Sequence, residues 1–404
     1  MKYNKSKLTM LILGTLLLGC NNSDDNSSST YQGYRAQVEK PALTDSFRNL
    51  VYVSYNKTEQ NKPWVDNDDN FGEITDLNIA FMNPSANRDS EGISHPDGIV
   101  PSLDHEHEKL LVKTIQTFRD KSANGRVFLS FGGWRDNESG ENDDGMTGRD
   151  IVYEKIAASP EARENFIESI MRVVNRYDLD GIDLDWEYPR TDDTVAYNYT
   201  EFVNMLADRL HEEGLYFTAA LINGRGTQTK DKSECGDFYM DEALDVFDTV
   251  NLMTYDMRNE DHSSYKDTKT ALDYWIHKRH LDPHRVTLGL PSYSHHGPTY
   301  TKMVHDQHQM ACRDTIEGKD GVTHYYNGLP TIRSKVHLAE DYHLGGVMLW
   351  ELPCDAIEKG SSDLSIIKTI DATINQDRSY QNVCDKHEDW IVYRKDDPMP
   401  HFES

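Results

Sequence analysis

The run Asp180-Gly181-Ile182-Asp183-Leu184-Asp185-Trp186-Glu187-Tyr188-Pro189 limits what this chain can become more than any other stretch. Read with a period of two, it sets Asp183, Asp185 and Glu187 on one face of a strand and Ile182, Leu184 and Trp186 on the other. Residues two apart on a strand lie roughly 6.5 Å apart along it, so three carboxyl groups line up in one file. Like charges at that spacing cannot all stay ionised cheaply, and at least one should keep its proton to a raised pH. A carboxylic acid still protonated near neutrality is what a general acid requires. A solvated edge strand would not back its acids with Ile, Leu and Trp. A calcium loop of the EF-hand kind wants its glycine turn among the ligands, whereas Gly181 precedes an apolar alternation.

The stretches around this run alternate short β patterns with helical ones, which is the signature of βα units around a parallel sheet. Strands are expected at Leu50–Tyr55, Asp76–Met82, Arg126–Phe131, the acidic run itself, Leu215–Leu221, Thr249–Tyr255, Arg285–Leu290 and Gly346–Trp350. Helices are expected near Asp104–Lys121, Ser159–Tyr177 with Pro160 in its first turn, Thr194–Glu213 ending at Gly214, Thr270–Arg279, Ile332–Asp341 and Ser362–Ile374. Eight such units read as α/β, a (β/α)8 TIM barrel. An open doubly wound sheet is disfavoured because no Gly-rich phosphate loop follows the first strand. Chemistry in a barrel gathers where strands end and βα loops begin. Tyr55, Phe81, Trp134, Glu187, Tyr255, Tyr293 and Trp350 all fall at such ends. Trp275, in a helical stretch beside Ile276, is expected to pack inward.

The acidic run resembles the DGxDxDxE signature of family 18 glycoside hydrolases, the chitinase family, at every fixed position. Ser130-Phe131-Gly132-Gly133-Trp134 resembles the family's SxGG motif, Met253-Thr254-Tyr255-Asp256 its MxYD run, and Gly346-Val347-Met348-Leu349-Trp350 its last strand. The resemblance implies that Glu187 is the proton donor, Asp185 the partner of the substrate's acetamido group, and Asp183 a buried acid sharing a proton with Asp185. It implies that Tyr255 bonds the N-acetyl carbonyl, that Asp256 binds sugar hydroxyl groups, and that Trp350 floors the sugar site. Tyr55, Phe81, Gly133, Trp134, Tyr188 and Tyr293 complete the substrate-binding set it suggests. It further implies substrate-assisted retaining hydrolysis, an exception among retaining glycosidases, with no metal or organic cofactor. The expected substrate is a β-1,4-linked N-acetylglucosamine polymer or oligosaccharide. An endo-β-N-acetylglucosaminidase acting on N-glycan cores and a non-catalytic chitinase-like lectin are the competing readings. Many relatives insert an α+β domain after strand seven, for which Ser294–His343 is too short. A shallower cleft and endo-type cutting are therefore expected.

The resemblance covers roughly residues 48–375. With 42 basic and 69 acidic residues, a net charge of −27, the chain is a poor partner for nucleic acid. Residues 1–19 read as a signal peptide: Lys2, Lys5 and Lys7 precede a short apolar run from Leu8 to Leu18. Leu17-Leu18-Gly19-Cys20 resembles a bacterial lipoprotein cleavage box with Cys20 lipidated, implying membrane contact through that anchor alone, at the outer membrane or cell surface. Residues 20–47 form a polar, acidic tether, and residues 376–404 a C-terminal tail expected to strap onto the barrel. Cys235, Cys312, Cys354 and Cys384 lack metal-ligand spacing and should form at least one disulfide, with three pairings open. The expected state is a monomer.

Overall fold

The computed structural model describes residues 42–54, 68–122, 124–134, 148–189, 193–224, 236–257, 261–318, 321–358, 360–394 and 397. The leader, most of the tether, Tyr55 and Cys235 lie outside the described residues. Eight parallel strands close into a barrel: β1 (Arg48–Ser54), β2 (Asp76–Met82), β3 (Arg126–Gly132), β4 (Gly181–Asp185), β5 (Tyr216–Ile222), β6 (Thr249–Met253), β7 (Val286–Pro291) and β10 (Gly346–Trp350). A two-stranded antiparallel hairpin, β8 (Thr315–Glu317) and β9 (Thr323–Tyr325), stands between β7 and β10. This hairpin and two short helical pieces, Tyr300–Val304 and His308–Cys312, occupy the place where an α+β insertion would sit, ahead of the helix Leu329–Asp341.

Each strand begins within two residues of its expected start. The reason is that outward positions, such as Val51, Val53, Leu77, Ile79, Leu129 and Phe131, are apolar and buried under the helices. Inward positions make a second, smaller cluster of Leu50, Tyr52, Ala80, Ala220, Met253, Tyr255 and Met348. Helix starts follow capping chemistry. Asp104 accepts from the backbone of Glu106 and His107 ahead of His105–Lys121, and Ser159 accepts from Ala162 ahead of Pro160–Tyr177. A helix over Gly148–Ala158 has no counterpart among the sequence expectations. The stretch expected to be a helix over Thr270–Arg279 is an α-helix, Tyr265–Leu272, running into a π-helical turn, Asp273–Lys278. That turn buries Trp275 completely, with its Nε1–H donated to the Ile222 carbonyl at 3.0 Å.

The acidic run departs from the strand reading at one point. β4 ends at Asp185, so Glu187 stands just beyond the strand's end, and the Glu187–Tyr188 peptide is cis. Trp186 is drawn outward between Tyr153 and Tyr199, at ring-centroid distances of 5.5 and 5.3 Å. Ile182, Leu184 and Trp186 all pack into the outer core, as the period-two reading expects.

Among the described cysteines, Cys312 and Cys384 are joined. Among the described residues no helix is long and apolar enough to cross a membrane.

Candidate active site

The C-terminal mouth of the barrel gathers most of the expected residues. Phe81, Tyr188 and Trp350 pack against the inner cluster that holds Tyr52 and Tyr255. Trp350 stacks on Phe81 at 5.5 Å with 28° between the planes, and Tyr52 meets it edge-on at 5.5 Å. An aromatic plate with one open face suits a pyranose ring, whose C–H faces are apolar and whose rim is polar. Trp134, just beyond β3, is 48 % exposed and stands at the rim.

Below that plate lies Asp183, fully buried on β4. Four side chains donate to it. Tyr52 Oη and Ser130 Oγ reach Oδ2 at 2.9 and 2.7 Å. Thr218 Oγ1 and Asn251 Nδ2 reach Oδ1 at 2.7 and 3.0 Å. Burial pushes the Asp183 carboxyl above the usual carboxylate range, while the four donors act against that rise. The expectation that crowding by neighbouring acids raises a pKa here is thus replaced at Asp183 by desolvation as the leading cause. Tyr52, Thr218 and Asn251 were absent from the sequence-based set; their signal is that each occupies an inward position on its strand.

Asp185, also buried, follows one repeat higher on β4. Its carbonyl accepts the Gly133 N–H at 2.8 Å. A Cβ on Gly132 would lie 1.9 Å from that carbonyl oxygen, and one on Gly133 would lie 2.4 Å from the Phe81 ring. Both glycines have positive φ, 119° and 87°, so the pair lets β3 close tightly on Asp185 and Phe81. Glu187 is half-buried at the mouth. Its charge and hydrogen bond, added to burial, hold the Tyr188 phenol far above the ordinary tyrosine range.

Tyr255 follows β6 and is buried. Burial raises its phenol well above the ordinary value, and the charges of Asp185, Asp256, Glu187 and Asp183 push the same way. One hydroxyl therefore lies in electrostatic reach of all four acids. Tyr293, after β7, donates to Asp256 Oδ2 at 2.6 Å and meets Tyr255 edge-on at 6.4 Å. Burial would raise the Asp256 carboxyl, but hydrogen bonds from His262 and Tyr293 outweigh it and hold the group below the ordinary range. Glu351 was also missed: it is buried behind Trp350, where Ser54 Oγ donates to it at 2.7 Å.

Among the described residues no group of three or more His, Cys, Asp or Glu side chains is arranged to hold a metal ion. The arrangement instead supports acid–base work: a half-buried glutamate, two buried aspartates of different surroundings, a tyrosine hydroxyl facing them, and an aromatic floor.

The sequence pattern of Glycosyl hydrolases family 18 matches residues 48–355. Human Chitinase-3-like protein 2 is 22 % identical over 369 residues, spanning 70 % of this chain and 88 % of that protein. The Endochitinase of Brugia malayi is 26 % identical over 216 residues, 47 % of this chain and 38 % of that protein. The crystal structure of the GH18 chitinase ChiB from the chitin utilization locus of Flavobacterium johnsoniae superposes with a TM-score of 0.62 at 26 % identity, covering 82 % of this chain and 94 % of that one. A GH18 chitinase from Cycas revoluta in complex with (GlcNAc)3 shares the fold with a TM-score of 0.64 at 18 % identity, covering 81 % and 99 %.

Proposed function

The chain belongs to glycosyl hydrolases family 18, and we propose that it hydrolyses β-1,4 links in chitin or chitooligosaccharides by substrate-assisted retaining catalysis. The observation that carries this reading is the family 18 pattern over residues 48–355 folded as a closed eight-stranded barrel, with Asp183 and Asp185 buried on β4 and Tyr255 buried after β6. Glu187 protonates the glycosidic oxygen as the bond to the anomeric carbon breaks. The substrate's own 2-acetamido oxygen attacks that carbon from the opposite face and forms the cyclic oxazolinium. Asp185 faces the acetamido nitrogen, whose positive charge develops in this step, and the Tyr255 hydroxyl orients the acetamido carbonyl. Asp183, with its carboxyl raised by burial, shares a proton with Asp185 as charge shifts. Glu187, now deprotonated, takes a proton from water, which opens the oxazolinium with retention.

Trp350 and Phe81 seat the sugar face, with Tyr188, Gly133, Trp134 and Tyr293 lining the approach and Asp256 accepting from sugar hydroxyl groups. The absence of a full α+β insertion supports an open cleft and endo-type cutting. Anchorage of the mature chain through lipidated Cys20, as a monomer at the outer membrane or cell surface, would present that cleft to external polysaccharide.

The test is turnover and binding of defined N-acetylglucosamine oligomers by wild type and Glu187→Gln. Loss of a general acid costs about 10²- to 10⁴-fold in rate, so the variant should still bind oligomers while turnover falls by that much. Binding without turnover in the wild type would favour the lectin reading instead. Release of high-mannose glycans from a glycoprotein, with oligomers untouched, would favour the N-glycan reading.

A further inference from the structure

His262 is completely buried beside the cleft, in the loop that follows Asp256. Its Nδ1 stands 3.1 Å from Asp256 Oδ1. The ring stacks on His295 at 5.5 Å and tilts against Tyr293 at 5.3 Å, so the imidazole has little room to turn. Asp256 itself has left-handed backbone geometry, φ 51°, a region that aspartate tolerates better than most residues with a side chain. The same Nδ1 stands 3.3 Å from the Asp256 backbone N; in the tautomer with its hydrogen on Nδ1 the ring donates to the carboxylate, which favours the ionised form and fixes the direction of its remaining lone pairs.

What aims His262 lies outside the barrel. Ser263 Oγ donates to the Thr254 carbonyl at 2.8 Å, and the Ser263 carbonyl accepts from Asn327 Nδ2 at 3.0 Å and from buried Lys335 Nζ at 2.7 Å. Asp261 is ion-paired with Arg394. Asp397 accepts the backbone N–H groups of Tyr265 and Lys266 at 2.5 and 2.8 Å. Arg394 also reaches Asp314 and Asp397 at 3.6 and 3.7 Å, and its side chain is only 6 % exposed. Arg394 and Asp397 come from the end of the chain, far in sequence from the loop they hold.

We propose that His262 is a positioning residue for Asp256, and that the C-terminal segment, through Arg394 and Asp397, holds the loop that presents it. The inference rests on Asp256 being a sugar-binding carboxylate. The titratable groups facing Asp256 among the described residues are His262 on its own loop, Tyr255 at the end of β6, and Tyr293 and His295 after β7. Without the His262 donor the Asp256 carboxyl loses the larger of the two hydrogen bonds that hold it ionised and takes up its proton at a higher pH. Sugar binding that needs the ionised form is then lost earlier as pH falls.

The experiment follows the Asp256 carboxyl by ¹³C NMR titration in the full mature chain, beside kcat and KM on an N-acetylglucosamine tetramer across the acidic and neutral range. Wild type, His262→Leu, His262→Asn and Arg394→Met are compared. His262→Leu should raise the Asp256 midpoint, move the acidic limb of kcat/KM upward, and raise KM about tenfold with kcat changed less than about threefold, the pattern of lost binding shared by ground and transition states. His262→Asn, which keeps a donor, should recover most of the loss, and Arg394→Met should shift the midpoint in the same direction by less. An unchanged Asp256 midpoint in His262→Leu, or in Arg394→Met should the former not fold, overturns the proposal. A wild type that leaves the tetramer intact removes the sugar-binding reading, while the titration still decides whether His262 and Arg394 act on Asp256.

Discussion

Tyr52 Oη donates to Asp183 Oδ2 at 2.9 Å, joining β1 to β4 across the inside of the barrel. The same hydroxyl accepts from Asn251 Nδ2 at 3.0 Å, so β6 enters the bond as well. Asp183 is thereby the meeting point of side chains from β1, β3, β5 and β6. A carboxyl so deep in the core costs stability when it ionises, and the donors reduce that cost without abolishing it.

Tyr52→Phe tests this balance. It leaves the Asn251 amide short of an acceptor and takes one donor from Asp183, at a cost of about 1–3 kcal/mol. The pH dependence has a definite sign. Asp183 is raised in the folded state, so its contribution to stability is full below the unfolded carboxyl pKa and falls as pH climbs through the folded value. Removing a donor that opposes the rise pushes the folded value higher and enlarges the loss at neutral pH. Urea unfolding near neutrality and in mild acid should show the larger deficit near neutrality. Equal deficits at both would mean that Tyr52 acts by packing alone.

The glycine pair at the end of β3 makes an ordered prediction. A Cβ on Gly132 meets the Asp185 carbonyl oxygen, a backbone atom that cannot turn aside, whereas one on Gly133 meets the Phe81 ring. Both positions are also in backbone regions where glycine is favoured. Gly132→Ala should therefore cost more than Gly133→Ala, and it should displace Asp185. A misplacement of about 1 Å at such a site costs about 10²-fold in rate, so turnover by Gly132→Ala should fall by about that factor with a lowered Tm. Steady-state rates and thermal melts of the two variants check the order; a Gly132→Ala enzyme as active as Gly133→Ala would contradict it.

The barrel was legible because its strands carry apolar residues on their outward face, and because the acidic run, the glycine pair and Trp350 stand where strands end. The cradle of Asp183 was not. Tyr52, Thr218 and Asn251 look like ordinary strand alternation until closure brings β1, β5 and β6 onto one carboxyl. Ile182, Leu184 and Trp186 pack outward as period-two counting expects, but the end of β4 at Asp185, one residue pair short of Glu187, is not written in that period. The role of His262 depends on contacts with residues more than a hundred positions later, and no local pattern carries that information. Disulfide pairing is likewise a matter of which chain segments meet, so three pairings were open until Cys312 and Cys384 were seen joined.

That disulfide closes a loop of 72 residues in sequence separation. By the chain-entropy relation, a loop of that length is worth about 4 kcal/mol against the unfolded chain, with about 2–4 kcal/mol the usual measured range. Its place matters as much as its size. In the short helix Val383–Lys386, Val383 and Cys384 are buried and Asp385 takes both terminal nitrogens of Arg333 at 2.9 Å, so this helix is where the C-terminal segment is fastened. Arg394 and Asp397 lie downstream of that fastening and hold the Asp261–Lys266 loop. Opening the bond, by a mild reductant or by Cys312→Ser with Cys384→Ser, should lower Tm and speed amide exchange first at Tyr265 and Lys266, whose N–H groups bond to Asp397, while β4 stays protected. Exchange at those two amides unchanged after reduction would show that the segment keeps its hold without the bond, leaving Arg333–Asp385 and the buried charges around Arg394 as sufficient fastening.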